Sequence, residues 1–188
     1  MLNPFQRRGD PYSLVVGMSG VNMGDRLVQI GCTHGGRLGA LAAKVGLSGH
    51  AAAVVPDEAA AVRARKGAAQ AGALVEVEVA PPTRLPLAEG TFDLAVVDDT
   101  GGLVGTMRAE DRVAAFRETR RVLRPGGRAI VVSASPRGGL GALLRGGKGQ
   151  APFDAVPSLQ AEGFKSVRKL AEREGLIFTE GIKPRTAT

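Results

Sequence analysis

Apolar and polar positions along this chain change period several times, and each change marks an element. Arg26-Leu-Val-Gln-Ile-Gly31 is a compact apolar run closed by glycine, the pattern of a strand buried on both faces. Ala51–Val55, Phe92–Val97 and Arg128–Ser133 repeat that pattern. Leu74-Val-Glu-Val-Glu-Val79 alternates with period two, as a half-buried strand does. Helical stretches lie between these runs. Gly35–Lys44 is rich in small residues and predicts a closely packed helix. Pro56-Asp-Glu58 opens a second helix, with proline and acids where a first turn favours them, and Gly72 ends it. A third runs from about Arg108 to Leu123 and places Val113, Phe116 and Leu123 on one face. Glu110 and Asp111 sit at its start and arginines towards its end, matching the helix dipole. Arg124-Pro-Gly-Gly127 stops it as a turn.

The flanks are less regular. Residues 1–25 read as an N-terminal segment with a short helix in Tyr12–Met18 covering one edge. Pro136–Gly149 is Gly-rich and basic and reads as a loop. A short helix follows near Pro157–Glu162, then Lys165–Arg173 and Leu176–Lys183 form a hairpin about Glu174-Gly175. No repeat and no separating linker is found, so residues 26–184 make one domain. Alternating strands and helices predict an α/β fold with a mostly parallel sheet, helices on both faces and a C-terminal antiparallel hairpin. Ligands of such sheets bind outside the carboxyl ends of the strands, where the strand order reverses. That rule gathers Gly31–Gly35, Val55–Asp57, Pro81–Arg84 and Asp98–Thr100 around one crevice.

Composition narrows the function classes. At 188 residues and 44% hydrophobic, one domain buries a full core without staples. One cysteine and two histidines exclude a disulfide framework, a Cys-rich zinc site and a histidine cage, so no metal is expected. No apolar run approaches the roughly 20 residues of a membrane span. Met1–Arg8 lacks the apolar stretch of a secretory signal, so the expected setting is cytoplasmic. The net charge of +7 comes from nineteen arginines and six lysines against eighteen acids. Those cations are dispersed through Arg63/Arg65/Lys66, Arg117/Arg120/Arg121/Arg124 and Arg137/Arg145/Lys148, and one Tyr and six Phe offer few stacking platforms. A solvated Arg-rich surface is therefore favoured over a nucleic-acid-binding one.

Four segments occur in order and at matching spacing: Val28-Gln-Ile-Gly-Cys-Thr-His-Gly35, Leu85-Pro-Leu-Ala-Glu-Gly-Thr-Phe-Asp93, Arg121-Val-Leu-Arg-Pro-Gly-Gly-Arg128 and Ala161-Glu-Gly-Phe164. Together they resemble the class I S-adenosylmethionine-dependent methyltransferases, especially a small-molecule, quinone-biosynthesis-like branch. The resemblance runs from about Gly24 to Pro184 and implies a Rossmann-like sheet, S-adenosylmethionine as cofactor and a small-molecule methyl acceptor. It carries the cofactor site onto Gln29, Gly31, Cys32, Thr33, His34, Gly35, Val55, Pro56, Asp57, Pro82, Thr83, Arg84 and Asp98, with Asp98 as base or acceptor anchor.

The cofactor motifs depart from the family's pattern. Its first loop reads acid-hydrophobic-Gly-x-Gly-x-Gly, and here Gln29 takes the acid's place and Thr33 the middle glycine's. Val55 stands where the family's ribose-binding carboxylate would be, and Pro81 where an acid meets the adenine. Each lost charge-assisted hydrogen bond costs about 1.5–3 kcal/mol, so two or three would weaken the cofactor by roughly two to four factors of ten. Other readings stand beside each candidate. Gly31 and Gly35 also suit a tight strand-to-helix turn, Cys32 suits packing, and Asp57 and Glu58 suit the start of a helix. His34 fits the cofactor's amino-acid end better than acceptor activation. Of Asp98 and Asp99, at most one faces the crevice, because successive strand residues point to opposite sides. Arg137, Arg145 and Lys148 either close over an anionic acceptor or are solvated. The alternative to a methyltransferase is a catalytically inactive binding or assembly protein on the same fold, with a homodimer completing the pocket. A phosphorylated nucleotide is a third candidate ligand, since losing the ribose acid removes repulsion from a 2′-phosphate.

Overall fold

The apolar runs become strands because the sheet is covered on both sides and must present hydrophobic residues to each. The computed structural model describes residues 11–135 and 153–185, so Pro136–Gly149, with Arg137, Arg145 and Lys148, lies outside the described residues. Strands β1 (Arg26–Ile30), β2 (His50–Val55), β3 (Glu76–Val79), β4 (Phe92–Asp99) and β5 (Leu123–Ala134) pair in parallel. The hairpin β6 (Lys165–Arg173) and β7 (Leu176–Ile182) completes a seven-stranded sheet of order β3-β2-β1-β4-β5-β7-β6. Strand β7 runs antiparallel to both of its neighbours. The hairpin turns on Glu174 and Gly175, both at positive φ (54° and 75°), the geometry of a two-residue loop whose twist matches its strands.

Helices α1 (Ser13–Ser19), α2 (Gly35–Val45) and α3 (Glu58–Gln70) cover one face, and α4 (Ala109–Val122) and α5 (Ala155–Ala161) the other. Helix α1 packs Val15 into the same core as Leu27, Leu41 and Ile130, so the segment before β1 builds onto the sheet from Pro11. On the far face Val28, Val97 and Val131 meet Phe116, Val122 and Leu159. Two details differ from the sequence expectation. The buried face of α4 is Ala115, Phe116, Thr119 and Val122, while Val113 is exposed, because the i, i+3/i+4 stripe centres on Phe116. The helix stops at Val122, as expected, but the Arg-Pro-Gly-Gly segment lies inside β5 instead of forming a turn ahead of it. Leu123 already pairs with Phe92, and the four residues form an irregularity before pairing resumes at Leu94–Arg128.

The sequence segments that carry the resemblance hold one another. Arg121 donates to the carbonyls of Leu85 (3.0 Å) and Leu87 (2.8 Å) and forms a forked pair with Glu118 (2.7 and 2.8 Å). Glu118 in turn accepts from the Leu85 amide at 2.8 Å, and the Arg121 guanidinium holds its carboxyl below the usual range. Asp93 accepts from the Arg26 amide at 2.7 Å and from Arg124. Burial raises the Asp93 pKa, but those two donors outweigh it and the net direction is down. One guanidinium thus ties the Leu-Pro segment to α4, and another ties the end of Gly-Thr-Phe-Asp to the start of β5.

Helices α2 and α3 approach backbone to backbone. A Cβ on Gly67 would lie 2.5 Å from the Gly35 Cα, and one on Gly39 would lie 2.9 Å from the Ala71 Cβ. This contact accounts for the small residues of α2, and it assigns Gly35 to packing against α3.

Candidate active site

The strand order reverses between β1 and β4, and their carboxyl ends open a cleft of about 330 Å³. Gly31, Cys32, Thr33, Pro56, Ala60, Arg63, Asp98, Gly101 and Leu103 line it. Gly31 turns the chain from β1 towards α2 at φ +82°, a left-handed conformation glycine adopts without strain. Its amide donates to the Val54 carbonyl at 2.8 Å, and Gln29, almost wholly buried, folds back to donate Nε2 to the Gly31 carbonyl at 2.9 Å. The residue at the family's acid position therefore fastens the turn.

Asp98 is the cleft's carboxylate, and the chain's own donors occupy it. Oδ2 accepts from the Thr33 amide at 2.8 Å. Oδ1 accepts from the Thr100 hydroxyl at 2.6 Å and its amide at 3.2 Å, and faces Arg37 Nη1 at 3.5 Å. Arg37 also donates to the Thr100 hydroxyl at 2.7 Å. Asp98 thus joins the loops after β1 and β4. Burial, reinforced by Asp98, pushes the Cys32 thiol up to about 11, which makes it a neutral packing group at ordinary pH.

The other expected residues divide. Pro56 lines the cleft, whereas Val55 is fully buried in the core with Leu38 and Ala64. Asp57 caps α3 by accepting from the Ala60 amide at 2.8 Å, and Glu58 pairs with Arg65 at 2.6 Å. His34 precedes α2 and lines a separate small hollow with Tyr12, Arg37 and Glu174. Pro82 is buried, Thr83 half-buried and Arg84 exposed, and none of the three is among the residues lining the cleft.

Ala60, Arg63, Gly101 and Leu103 escaped the sequence reading. Arg63 donates Nε to the Cys32 carbonyl at 3.1 Å and lines the cleft. Its spacing of three from Ala60 on α3 was the available signal. Leu103 covers Gly31, since a Cβ there would lie 2.6 Å from Leu103 Cδ2. Nothing in the pattern of the 100–107 loop marked it.

Asp99 points to the opposite face of β4, into a second cavity of about 390 Å³ bordered by Ser133, Ala134, Arg112, Phe153 and Asp154. Its Oδ1 accepts from the amides of Val104 (2.8 Å) and Gly105 (2.9 Å), while Oδ2 meets the Ser133 hydroxyl at 3.3 Å. Burial raises its pKa above the usual carboxylate range despite those donors.

The sequence model of the methyltransferase domain matches residues 27–127, and the chain belongs to that family, in its class I S-adenosylmethionine-dependent form. The family description names no acceptor branch. An uncharacterized 37.1 kDa protein of a Streptomyces fradiae transposon is 34% identical over 57% of this chain and 30% of its own length. An uncharacterized protein of Mycobacterium tuberculosis is 30% identical over 70% of this chain and 45% of its own. The chain thus spans less than half the length of these relatives. A solved S-adenosylmethionine-dependent methyltransferase from Aquifex aeolicus shares the fold, with a TM-score of 0.71, 19% identity and coverage of 92% of this chain and 89% of the other. An O-methyltransferase from Thermotoga maritima aligns with a TM-score of 0.67 at 15% identity, covering 100% of this chain and 68% of the other. No helix among the described residues is long and apolar enough to cross a membrane.

The family's cofactor fits this cleft by shape more than by charge. Leu103 lies where a side chain on Gly31 would be, and with Pro56 and Ala60 it gives apolar walls for an adenosine. Arg63 offers a cation to a carboxylate. The ribose-binding acid has no counterpart, because Val55 is buried and Asp57 caps a helix.

Proposed function

We propose that this protein transfers a methyl group from S-adenosylmethionine to a small molecule. The observation that carries the reading is the cleft at the β1–β4 switch point, floored by Gly31 and tied shut on one side by Asp98, within a chain of the methyltransferase family. In that cleft the backbone of Gly31–Thr33, with Pro56, Ala60 and Leu103, would hold the adenosyl part, and Arg63 the carboxylate. The cofactor supplies an electrophilic methyl on a sulfonium. The chain's own contribution is orientation and exclusion of water, the means by which such a reaction is accelerated without acid–base help. With its oxygens already occupied, Asp98 acts as a positioning residue for the two loops.

Missing carboxylates make weak binding the expectation, between micromolar and millimolar. Calorimetric titration with S-adenosylhomocysteine tests this. Saturable heat accompanied by a thermal shift supports the reading. No heat and no shift at millimolar ligand would leave a fold used for binding or assembly without turnover.

A further inference from the structure

The charges in the cofactor cleft are unevenly matched. Asp98 and Arg63 are the charged side chains among its lining residues. Both Asp98 oxygens are taken, by the Thr33 amide and by Thr100, with Arg37 behind them at 3.5 Å. Among the described residues Arg63 makes one hydrogen bond, through Nε to the Cys32 carbonyl, and enters no ion pair, so Nη1 and Nη2 are unpartnered. The neighbouring acids are bound elsewhere, for Asp57 caps α3 and Glu58 pairs with Arg65. The cleft therefore holds one neutralised carboxylate and one spare cation, a balance that favours an anion.

The place of that cation narrows the anion. In doubly wound sheets the ribose lies near the end of the second strand, where a carboxylate takes its 2′-hydroxyl or an arginine takes a 2′-phosphate. Here β2 ends in Val55, which is buried, and Pro56, which lines the cleft. Ala60 and Arg63, one turn apart on α3, continue the same wall. No carboxylate on that wall would repel a phosphate. At about 330 Å³ the cleft suits a body the size of a mononucleotide.

We propose that this cleft binds an adenosine phosphorylated on its ribose, with the Arg63 guanidinium paired to the phosphate, in competition with S-adenosylmethionine. The proposal rests on the methyltransferase reading for the adenosine alone, and needs no methyl transfer. Because Arg63 is also the cation assigned to the cofactor's carboxylate, one guanidinium serves either anion and the two ligands exclude each other. A purely structural Arg63 would only hold the Cys32 carbonyl, a task without preference among ligands.

The test is calorimetric titration of the full chain with adenosine and with its 2′-, 3′- and 5′-monophosphates, and separately with S-adenosylhomocysteine. Wild type is expected to bind the 2′- or the 3′-phosphate about tenfold or more tighter than adenosine and than the 5′-phosphate. The favoured isomer separates a 2′-phosphate of the NADP kind from a 3′-phosphate of the coenzyme A kind, and its presence should raise the apparent Kd of S-adenosylhomocysteine in proportion to its concentration. Arg63→Gln should bring the ratio of phosphate to adenosine affinity down to about one. Pro56→Glu sets a carboxylate on the same wall from an exposed position and should likewise remove the preference for phosphate. Phosphate affinity no better than that of adenosine, equal binding of the 5′-isomer, or an unchanged ratio in either variant would overturn the proposal. S-adenosylhomocysteine binding without nucleotide binding ends this inference and leaves the methyltransferase reading standing; nucleotide binding without S-adenosylhomocysteine binding does the reverse.

Discussion

Replacing Gly67 by alanine sets two effects against each other, and the structure decides the winner. In an isolated helix the change is favourable by about 1 kcal/mol, because alanine restricts the unfolded chain and suits the helix. In α3 the new methyl would lie 2.5 Å from the Gly35 Cα, with that residue's carbonyl closer still. Carbon atoms rest at about 3.5–4.0 Å, so the helices must part by roughly 1 Å, and what yields is backbone. Overpacking of this kind costs about 1–3 kcal/mol or more and outweighs the propensity gain. After the propensity gain the net loss is up to about 2 kcal/mol, and since each kcal/mol shifts Tm by about 2–4 °C in a domain of this size, a fall of up to roughly 8 °C is expected by circular dichroism. Arg63 lies one helical turn before Gly67, so the cleft wall should move too, and S-adenosylhomocysteine should bind more weakly. Gly17→Ala is the control. It lies within α1 with nothing within 4 Å of its added methyl and should be neutral or stabilising. Equal Tm changes in the two variants would refute the argument from close backbone approach.

Three further outcomes follow from the same contacts. Arg121→Ala should lower stability by about 1.5–3 kcal/mol in urea titrations, by freeing the Leu85 and Leu87 carbonyls and unpairing Glu118. Because Arg121 lowers the Glu118 pKa from 4.5, that pair's stabilisation is full above the unfolded value and is lost as pH falls through the folded one. The variant's stability curve should therefore be flatter than wild type's below about pH 4.5, and an identical slope would refute the assignment. With its pKa at about 11, Cys32 should react slowly with a disulfide reagent at pH 8 in the folded protein and quickly in urea; a fast native phase would contradict its burial. Asp98→Asn should cost about 1–3 kcal/mol in thermal unfolding and weaken S-adenosylhomocysteine, since the amide cannot accept from Thr33, Thr100 and Arg37 together. Unchanged binding would separate the loop clasp from the cleft.

What the sequence made legible was whatever depends on a repeating period or on a compulsory backbone geometry. The strands at Arg26, Ala51 and Phe92 stood out because a doubly covered parallel sheet needs unbroken apolar runs, and the Glu174-Gly175 turn because a glycine joins two strand-like runs there. Gly31 and Asp98 fall at the cleft for the same topological reason. Arg63, Leu103 and the cavity beside Asp99 were not legible, since they depend on how the aperiodic 100–107 loop folds over the strand ends. Tyr12–Met18 looked like a peripheral cover, yet Val15 enters the central core, a distinction that seven residues of weak periodicity do not carry.

The guanidinium groups have a consequence for how this protein tolerates change. Arg112 gathers three carbonyls, Arg121 spans two carbonyls and a carboxylate, and Arg128 reaches both Ser19 and Glu180. Each does so with a flat, many-pronged head that an ammonium cannot imitate. Exchanging lysine for arginine, harmless on most surfaces, should therefore act here like cutting several stitches at once. The basic excess of this chain serves in good part as internal fastening rather than as an outward-facing field.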